Sequence, residues 1–401
     1  MKCDKLAIYA IHPIMYQTPI FKELEDNIKN NKLNLDSTIL YGDDLSLKEV
    51  FFKETNVVFK PDIPFLMDGY KYEFLKNYAK DARGGFLSRI NPGIFNKLRK
   101  EKYDAILIHG YESLTAWFTM FAAKLTGAKI IWRGEAVLRG IESNSTIKQK
   151  IKRLVLKRFF KACDAVMYSC SGNKEYIKFY GVNENKLFSI PCAVNNDFFQ
   201  HEQKKYINNI DEIKKELRIA SNDMVILFSA RFTTRKRPLD LLNALTKIDN
   251  NNITVLFVGD GLERNNMEKF VNENNLKAIF TGFTNQNQIS KFYSISDIDI
   301  VISDYDPSPK AMNEAMNFKL PIIVTDVVGT ACDLVEDGKN GFIVQVGDID
   351  AIAEKIDYFN KNREGLKTMG NKSFDIVQNW NYKEDAKGIL NAFKYVMEKK
   401  G

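Results

Sequence analysis

The sequence predicts an α/β protein made of two doubly wound parallel-sheet domains in tandem, facing a central cleft. Three observations carry that expectation. Short β-branched apolar runs alternate with amphipathic helical stretches along most of the chain. The alternation lapses over Cys192 to Asn208, where no apolar period survives and the composition changes, so a linker is expected there. A chain of 401 residues is long enough for two domains, each with its own core. The expected domains are 1–200 and 201–380, with a final helix over 381–401 packing back on the first.

In order along the chain, Leu6 to Ile11 reads as a buried strand, followed by His12-Pro13 and a helix from Pro19 to Asn30. Leu35 to Tyr41 is a second strand. Residues 43–100 mix aromatic and basic residues with Pro61, Pro64, Gly84, Gly85 and Pro92, a composition for loops and short helices where an acceptor would be read. Order returns with strand Ala105 to His109, helix Leu114 to Leu125 and strand Lys129 to Trp132. A basic helix, Thr146 to Ala162, leads to strand Ala165 to Ser169. The next helix, Asn173 to Tyr180, stops at Gly181, and Lys186 to Ile190 is a last short strand. The second half opens with a helix, Ile210 to Arg218. Strands then fall at Val225–Ser229, Ile253–Val258, Ala278–Thr281, Ile298–Ile302, Leu320–Val324 and Phe342–Val344, with helices between them. The last helix runs from Tyr382 to Lys399.

Composition narrows the function classes. A 45% hydrophobic and 27% charged chain is globular rather than disordered. Cys3, Cys163, Cys170, Cys192 and Cys332 are odd in number and scattered, and there are three histidines. A disulfide framework and a structural zinc site are therefore not expected, and reduced thiols in a cytoplasm are. The start, MKCDKLAIYAIHP, is too short in its apolar part for a signal peptide. Residues 1–200 carry 31 Lys and Arg against 22 Asp and Glu, a net +9, whereas the remainder carries 27 against 29, a net −2. The basic half is either a solvated lysine surface or a match for anionic lipid, nucleic acid or an acidic acceptor. No aromatic–basic repeat or recognition motif supports nucleic acid.

The stretch with most chemistry is Asp306 to Asp326, DPSPKAMNEAMNFKLPIIVTD. It reads as a turn punctuated by Pro307 and Pro309, a helix, and a buried strand. The first turn of such a helix offers free N–H groups and a positive dipole end to a phosphate. Asp306 and Glu314 flank that end and suit neutral hydroxyls of the same ligand. Elsewhere Arg231, Arg235, Lys236 and Arg237 lie between a strand and a helix, where cations would neutralise a diphosphate. Gly259 and Gly261 end the next strand and would let a backbone approach a ligand closely. Phe283, after Thr281-Gly282, would lie against a base. Alone, each is also what a surface loop, a turn or a core rim contains.

Together, and in this order, they resemble the donor domain of family-4 glycosyltransferases (glycosyl transferases group 1) of the GT-B architecture, in which two Rossmann-like domains face a cleft. The resemblance rests on Arg231, Lys236, Gly259 and Gly261, Asp306, Glu314-Ala315-Met316, Pro321, Val328-Gly329, Asp333-Leu334-Val335, Gly338 and Asn340-Gly341, over roughly residues 225–350. The first half matches in layout. The resemblance implies transfer of a sugar from a nucleotide sugar to a glycan or lipid-linked acceptor, with retained anomeric configuration and neither metal nor cofactor. Arg231 and Lys236 would balance the leaving diphosphate, and Glu314 would hold the ribose hydroxyls. Asp306 would hold the donor sugar, and backbone N–H groups near Ser308 and Lys310 the distal phosphate. Asp306 departs from the usual Glu, and its two prolines depart from a glycine-rich loop, which bears on sugar identity.

On the acceptor side the first half offers His12, His109 and the unusual Arg133-Gly134-Glu135 at a strand end, where the family often has a His. Glu135 or Arg133 would orient the acceptor hydroxyl or the donor sugar; a structural Arg–Glu pair is the alternative. The helix IKQKIKRLVLKRFFKA places Ile147, Ile151, Leu154, Val155 and Phe159 on one face. Its place in a βαβ unit makes that face core, with peripheral charge-assisted contact to the inner face of the plasma membrane left to the lysines. The resulting expectation is an enzyme of surface polysaccharide or lipopolysaccharide assembly. The rivals are a nucleotide-sugar epimerase on the same fold and a non-catalytic nucleotide-binding paralogue.

Overall fold

The computed structural model describes residues 3–48, 50–52, 57–59, 66–138 and 146–399. The chain forms two compact units, one drawing on residues up to Cys192 and on the terminal helix, the other on Ala193–Asn381.

The first unit holds a seven-stranded parallel sheet built from β1 (Asp4–Ala10), β2 (Leu35–Tyr41), β3 (Tyr72–Phe74), β4 (Ala105–His109), β5 (Lys129–Gly134), β6 (Ala165–Tyr168) and β7 (Leu187–Ser189). Their order is β3-β2-β1-β4-β5-β6-β7, which reverses beside β1. The central strands are buried on both faces, so they read as unbroken apolar runs. Edge strand β3 lies in the region expected to be loop. It is three exposed residues long, too short to leave a periodic signal.

One face of this sheet is covered by α1 (Thr18–Asn30) and by the terminal helix. Phe21 and Leu24 pack there with Ile389 and Val396 over Leu6, Ile8 and Leu107. The other face carries α2 (Gly93–Glu101), α3 (Leu114–Thr126), α4 (Ile147–Lys161) and α5 (Ser171–Phe179). Ser113 caps α3 by accepting from the Ala116 N–H, and Thr146 with Gln149 forms a capping box at α4. Only the later turns of α4 enter the core: Leu156, Phe159 and Phe160 are buried. Ile147, Ile151, Leu154 and Val155 are 77%, 57%, 53% and 41% exposed. The expected apolar core face of this helix is therefore half wrong. Its first two turns precede the layer of rings formed by Trp117, Trp132, Phe159 and Phe160, so their aliphatic side chains stand largely open to solvent.

The second unit opens with α6 (Asn196–Tyr206), in the stretch expected to be a linker. Asn195 caps it by accepting from the Phe198 N–H, and Phe199 is fully buried. After α7 (Ile210–Glu216) comes a six-stranded parallel sheet of β8 (Met224–Ser229), β9 (Ile253–Val258), β10 (Ala278–Gly282), β11 (Ile298–Val301), β12 (Ile322–Thr325) and β13 (Gly341–Val344). The order is β10-β9-β8-β11-β12-β13. Helices α8 (Pro238–Leu245), α9 (Arg264–Glu273), α10 (Gln286–Ile295), α11 (Lys310–Asn317), α12 (Ala331–Leu334), α13 (Ile349–Lys361) and α14 (Arg363–Val377) flank it. Leu241, Met267, Ile352 and Ile356 pack with Phe228, Phe257 and Ile300 on one face, while α6, α10 and α11 pack together around Phe199, Tyr293 and Phe318. The last helix, α15 (Tyr382–Glu398), belongs to the first unit, where Gly388 lies so close to β7 that an added Cβ would stand 2.1 Å from the Ser189 carbonyl oxygen.

Candidate active site

The second unit collects its polar groups at the carboxyl ends of its strands, the edge where open parallel sheets bind ligands. After β8 the chain makes a one-turn 3-10 helix, Thr234–Lys236, before α8. The four cations there have different partners. Arg235 donates to the Tyr305 carbonyl at 2.7 Å and so braces the turn before Asp306. Arg237 pairs with Asp240 on its own helix at 2.6 Å. Lys236 reaches across to Asp306 and forms an ion pair with Oδ2, both side chains being mostly buried. Arg231 is exposed on the loop.

Asp306 is held on several sides. Its Oδ1 accepts from the Ser308 N–H at 3.3 Å, and its carbonyl accepts from the Gly329 N–H at 2.9 Å. Pro309 ends the turn, and α11 starts at Lys310. The Ser308 hydroxyl oxygen is buried without a hydrogen-bond partner among the described residues. One turn into α11, Glu314 is 3% exposed, and its Oε2 accepts a hydrogen bond from the Tyr293 hydroxyl at 2.8 Å. Asp306, Lys236, Ser308 and the start of α11 are thus brought together, with Glu314 behind them.

Gly259 and Gly261 have a structural task that the sequence does not reveal. Their φ angles are 136° and 159°, and an added Cβ would stand 2.0 Å from the Ala230 carbonyl oxygen and 2.3 Å from that of Phe232. The loop after β9 therefore seats directly against the loop that carries Arg231. Phe232 N–H donates to the Asp260 carbonyl at 2.9 Å, which ties the two loops together. The glycines act through the neighbouring backbone, positioning Arg231. Phe283 is 48% exposed after β10.

In the first unit, His109 and Arg133 end adjacent strands and stand opposite one another in register. Arg133 is 3% exposed and pairs with Glu135 at 3.5 Å. His109 Nε2 and Arg133 Nε are buried without partners among the described residues. Burial, and secondarily the Arg133 charge, hold the His109 pKa down at about 3, so at neutral pH it is an uncharged imidazole. His12 lies apart from these, after β1, and burial lowers its pKa too while Asp43 opposes the shift. Beside it is a pair absent from the sequence reasoning: Asp43 and Arg89, buried and 2.5 Å apart, with Arg89 also donating to Ser88 at 2.9 Å. Asp43 and Arg89 lie 46 residues apart in a stretch without periodicity, so no local signal joins them.

Among the described residues, no group of three or more His, Cys, Asp or Glu is arranged to hold a metal ion, and no helix is long and apolar enough to cross a membrane. Among the described residues no cysteine is in a disulfide, and Cys163, Cys170 and Cys192 are buried.

Residues 209–375 match the family described as glycosyl transferases group 1. The chain is 29% identical over 268 residues to UDP-Gal:alpha-D-GlcNAc-diphosphoundecaprenol alpha-1,3-galactosyltransferase of Escherichia coli, a match covering 64% of this chain and 66% of that one. It is 24% identical over 249 residues to a Campylobacter jejuni alpha-1,4-N-acetyl-D-galactosaminyltransferase acting on GalNAc-alpha-(1->4)-GalNAc-alpha-(1->3)-diNAcBac-PP-undecaprenol, with 61% and 64% covered. The chain thus spans just under two thirds, or less, of the first curated relatives it matches. In fold it is similar to a glycosyltransferase from Rickettsia africae (TM-score 0.73, 18% identity, 98% of both chains). It is likewise similar to Anabaena HepE in complex with UDP (TM-score 0.71, 16% identity, 98% of this chain and 99% of that). The fold is GT-B, and residues 209–375 in its second unit are similar to the glycosyl transferases group 1 family.

Proposed function

We propose that this chain is a retaining, metal-independent glycosyltransferase. It moves a sugar from a nucleotide-diphosphate sugar to a glycan or lipid-linked acceptor in bacterial surface polysaccharide or lipopolysaccharide assembly. The observation that carries this is the Lys236–Asp306 pair at the start of α11, with Glu314 one turn behind. A cation and a helix start suit the diphosphate, and two carboxylates suit neutral hydroxyls. In the reaction the bond from the anomeric carbon to the diphosphate breaks, its electron pair leaving on the phosphate oxygen, which Arg231 and Lys236 stabilise. The acceptor oxygen bonds to the same face of that carbon, and its proton passes to the leaving phosphate. Relatives whose names specify undecaprenol-linked substrates support the lipid-linked acceptor. On the acceptor side, His12, His109, Arg133 and Glu135 are the residues at hand, with His109 a neutral hydrogen-bonding group.

The exposed start of α4 supports a peripheral position at the inner face of the plasma membrane. Ile147, Ile151, Leu154 and Val155 face solvent on a helix with seven cations and no acid. Aliphatic groups that enter the acyl boundary and lysines that meet anionic headgroups are the two signals such contact needs.

The test is turnover of UDP-, GDP- and ADP-hexoses with undecaprenyl-diphosphate-linked glycan acceptors in EDTA, with the product anomer assigned by NMR. The expected outcome is a product that keeps the donor's α configuration. An inverted product would overturn the retaining mechanism. Conversion of a nucleotide sugar without acceptor would favour an epimerase, and binding without turnover a non-catalytic paralogue.

A further inference from the structure

We propose that Tyr293 is a positioning residue of the donor site, fixing the Glu314 carboxylate in the orientation that receives the ribose. This rests on the reading of Glu314 given above. Tyr293 lies on α10, is none of the residues on which the family resemblance rests, and reaches Glu314 from 21 residues away in sequence.

Three observations support it. First, the hydroxyl has a clear choice of acceptor, with Glu314 Oε2 at 2.8 Å and the Ala311 carbonyl at 3.5 Å. Second, the ring is held against rotation. It stacks on Phe318 with centroids 5.2 Å apart and planes at 25°, and Phe199 meets both rings edge-on at 6.4 and 6.2 Å. A hydroxyl at the end of an immobile, fully buried ring aims the carboxylate it donates to. Third, the charge around that carboxylate is arranged for one ion. Asp299 on β11 is fully buried, and neither of its oxygens has a hydrogen-bond partner among the described residues. Burial pushes its pKa well above the carboxylate range, and the Glu314 charge pushes it further. The Tyr293 hydroxyl is likewise kept protonated by burial and by the Glu314 charge. Neutral Asp299 and a neutral donor hydroxyl leave no competing anion beside Glu314 in this buried layer.

The experiment compares the full chain with its Tyr293→Phe variant, which keeps the ring and removes the hydroxyl. Binding of UDP, GDP, ADP and inorganic pyrophosphate is followed by calorimetry, alongside donor KM and kcat. The tightest nucleoside diphosphate is expected to bind about tenfold more weakly, the scale of one hydrogen bond to a charged group. Pyrophosphate, which has no ribose, should change less than about twofold, and donor KM should rise with kcat falling less than about threefold. In a Glu314→Ala background the same change should have no further effect on nucleoside diphosphate binding. Unchanged nucleoside diphosphate affinity, or an equal loss for pyrophosphate, would overturn the proposal, the latter marking a general displacement of α11. A wild-type chain that binds none of the three nucleotides would instead overturn the donor-site reading itself.

Discussion

Lys236 and Asp306 hold one another from 70 residues apart, so each serves as the other's counter-ion besides the donor role proposed for it. Replacing Lys236 by Met should cost on two accounts. Loss of a cation aimed at developing phosphate charge typically lowers kcat by about 10²–10³-fold. A mostly buried carboxylate left without its partner costs a further ~1–3 kcal/mol of stability. The pairing predicts that Asp306→Asn on top of Lys236→Met restores most of the denaturation midpoint but none of the turnover, which separates the two accounts. His109 gives a second expectation at this scale. Its folded pKa, about 3, lies below the usual 6.5, so the native state keeps it neutral while the unfolded chain takes up a proton as pH falls through 6.5. Its contribution is complete above pH 6.5 and declines by ~1.4 kcal/mol per pH unit down to the folded pKa. His109→Gln should therefore flatten the fall in unfolding midpoint between pH 6.5 and 4.5 by about one proton; an unchanged slope would mean the imidazole is solvated. The candidate donor residues are legible in the sequence because strand ends recur in order along the chain. Tyr293, Asp43 and Arg89 are not, since the fold alone brings their partners to them.

At the scale of elements, parallel strands announced themselves as continuous β-branched runs, and helix ends through caps such as Thr146 and Gly181. Two elements were misjudged for identifiable reasons. Helix α6 reads as linker in the sequence because it buries only Asn196, Phe199 and Glu202, too few positions to make a period. Helix α4 reads as core along its whole length because periodicity reports a face and not its partner. The structure divides the helix, Phe159 and Phe160 inside and Ile147 to Val155 outside. That division makes a prediction free of folding effects. Ile151→Asp with Leu154→Asp should leave the unfolding midpoint within ~0.5 kcal/mol, as exposed substitutions do. The same pair should abolish co-flotation with vesicles containing phosphatidylglycerol, while neutral vesicles capture neither protein at physiological salt. If the variant floats as well as the parent, α4 does not meet the membrane. If it unfolds more readily, the face has an intramolecular partner.

The whole molecule is divided unequally by its chain path. The first unit is discontinuous: its sheet is finished by α15, whose Ile389, Ala392 and Val396 are buried against strands laid down more than 180 residues earlier. The second is nearly all one stretch, Ala193–Asn381. Asn196 closes it by donating to the carbonyls of Val377 and Trp380 at 3.0 and 3.1 Å, while its Oδ1 accepts from Asn317 at the end of α11 at 2.9 Å. One buried side chain thus ties the first helix of the unit, its last turn and the end of α11. A polypeptide of residues 193–381 should then fold alone, with a single cooperative urea transition and its own nucleoside diphosphate affinity. Residues 1–192 without α15 should not, because the apolar face of β1, β4 and β5 would stand open to water. Asn196→Ala in the 193–381 polypeptide leaves two buried carbonyls and the Asn317 amide short of a partner, at about 1–3 kcal/mol each where no water reaches them. It should lower the urea midpoint and weaken nucleotide binding together, because the same side chain that closes the unit also holds the end of α11. Binding that survives while the midpoint falls would show that α11 is held by its packing on α14, α6 and β11 without this side chain.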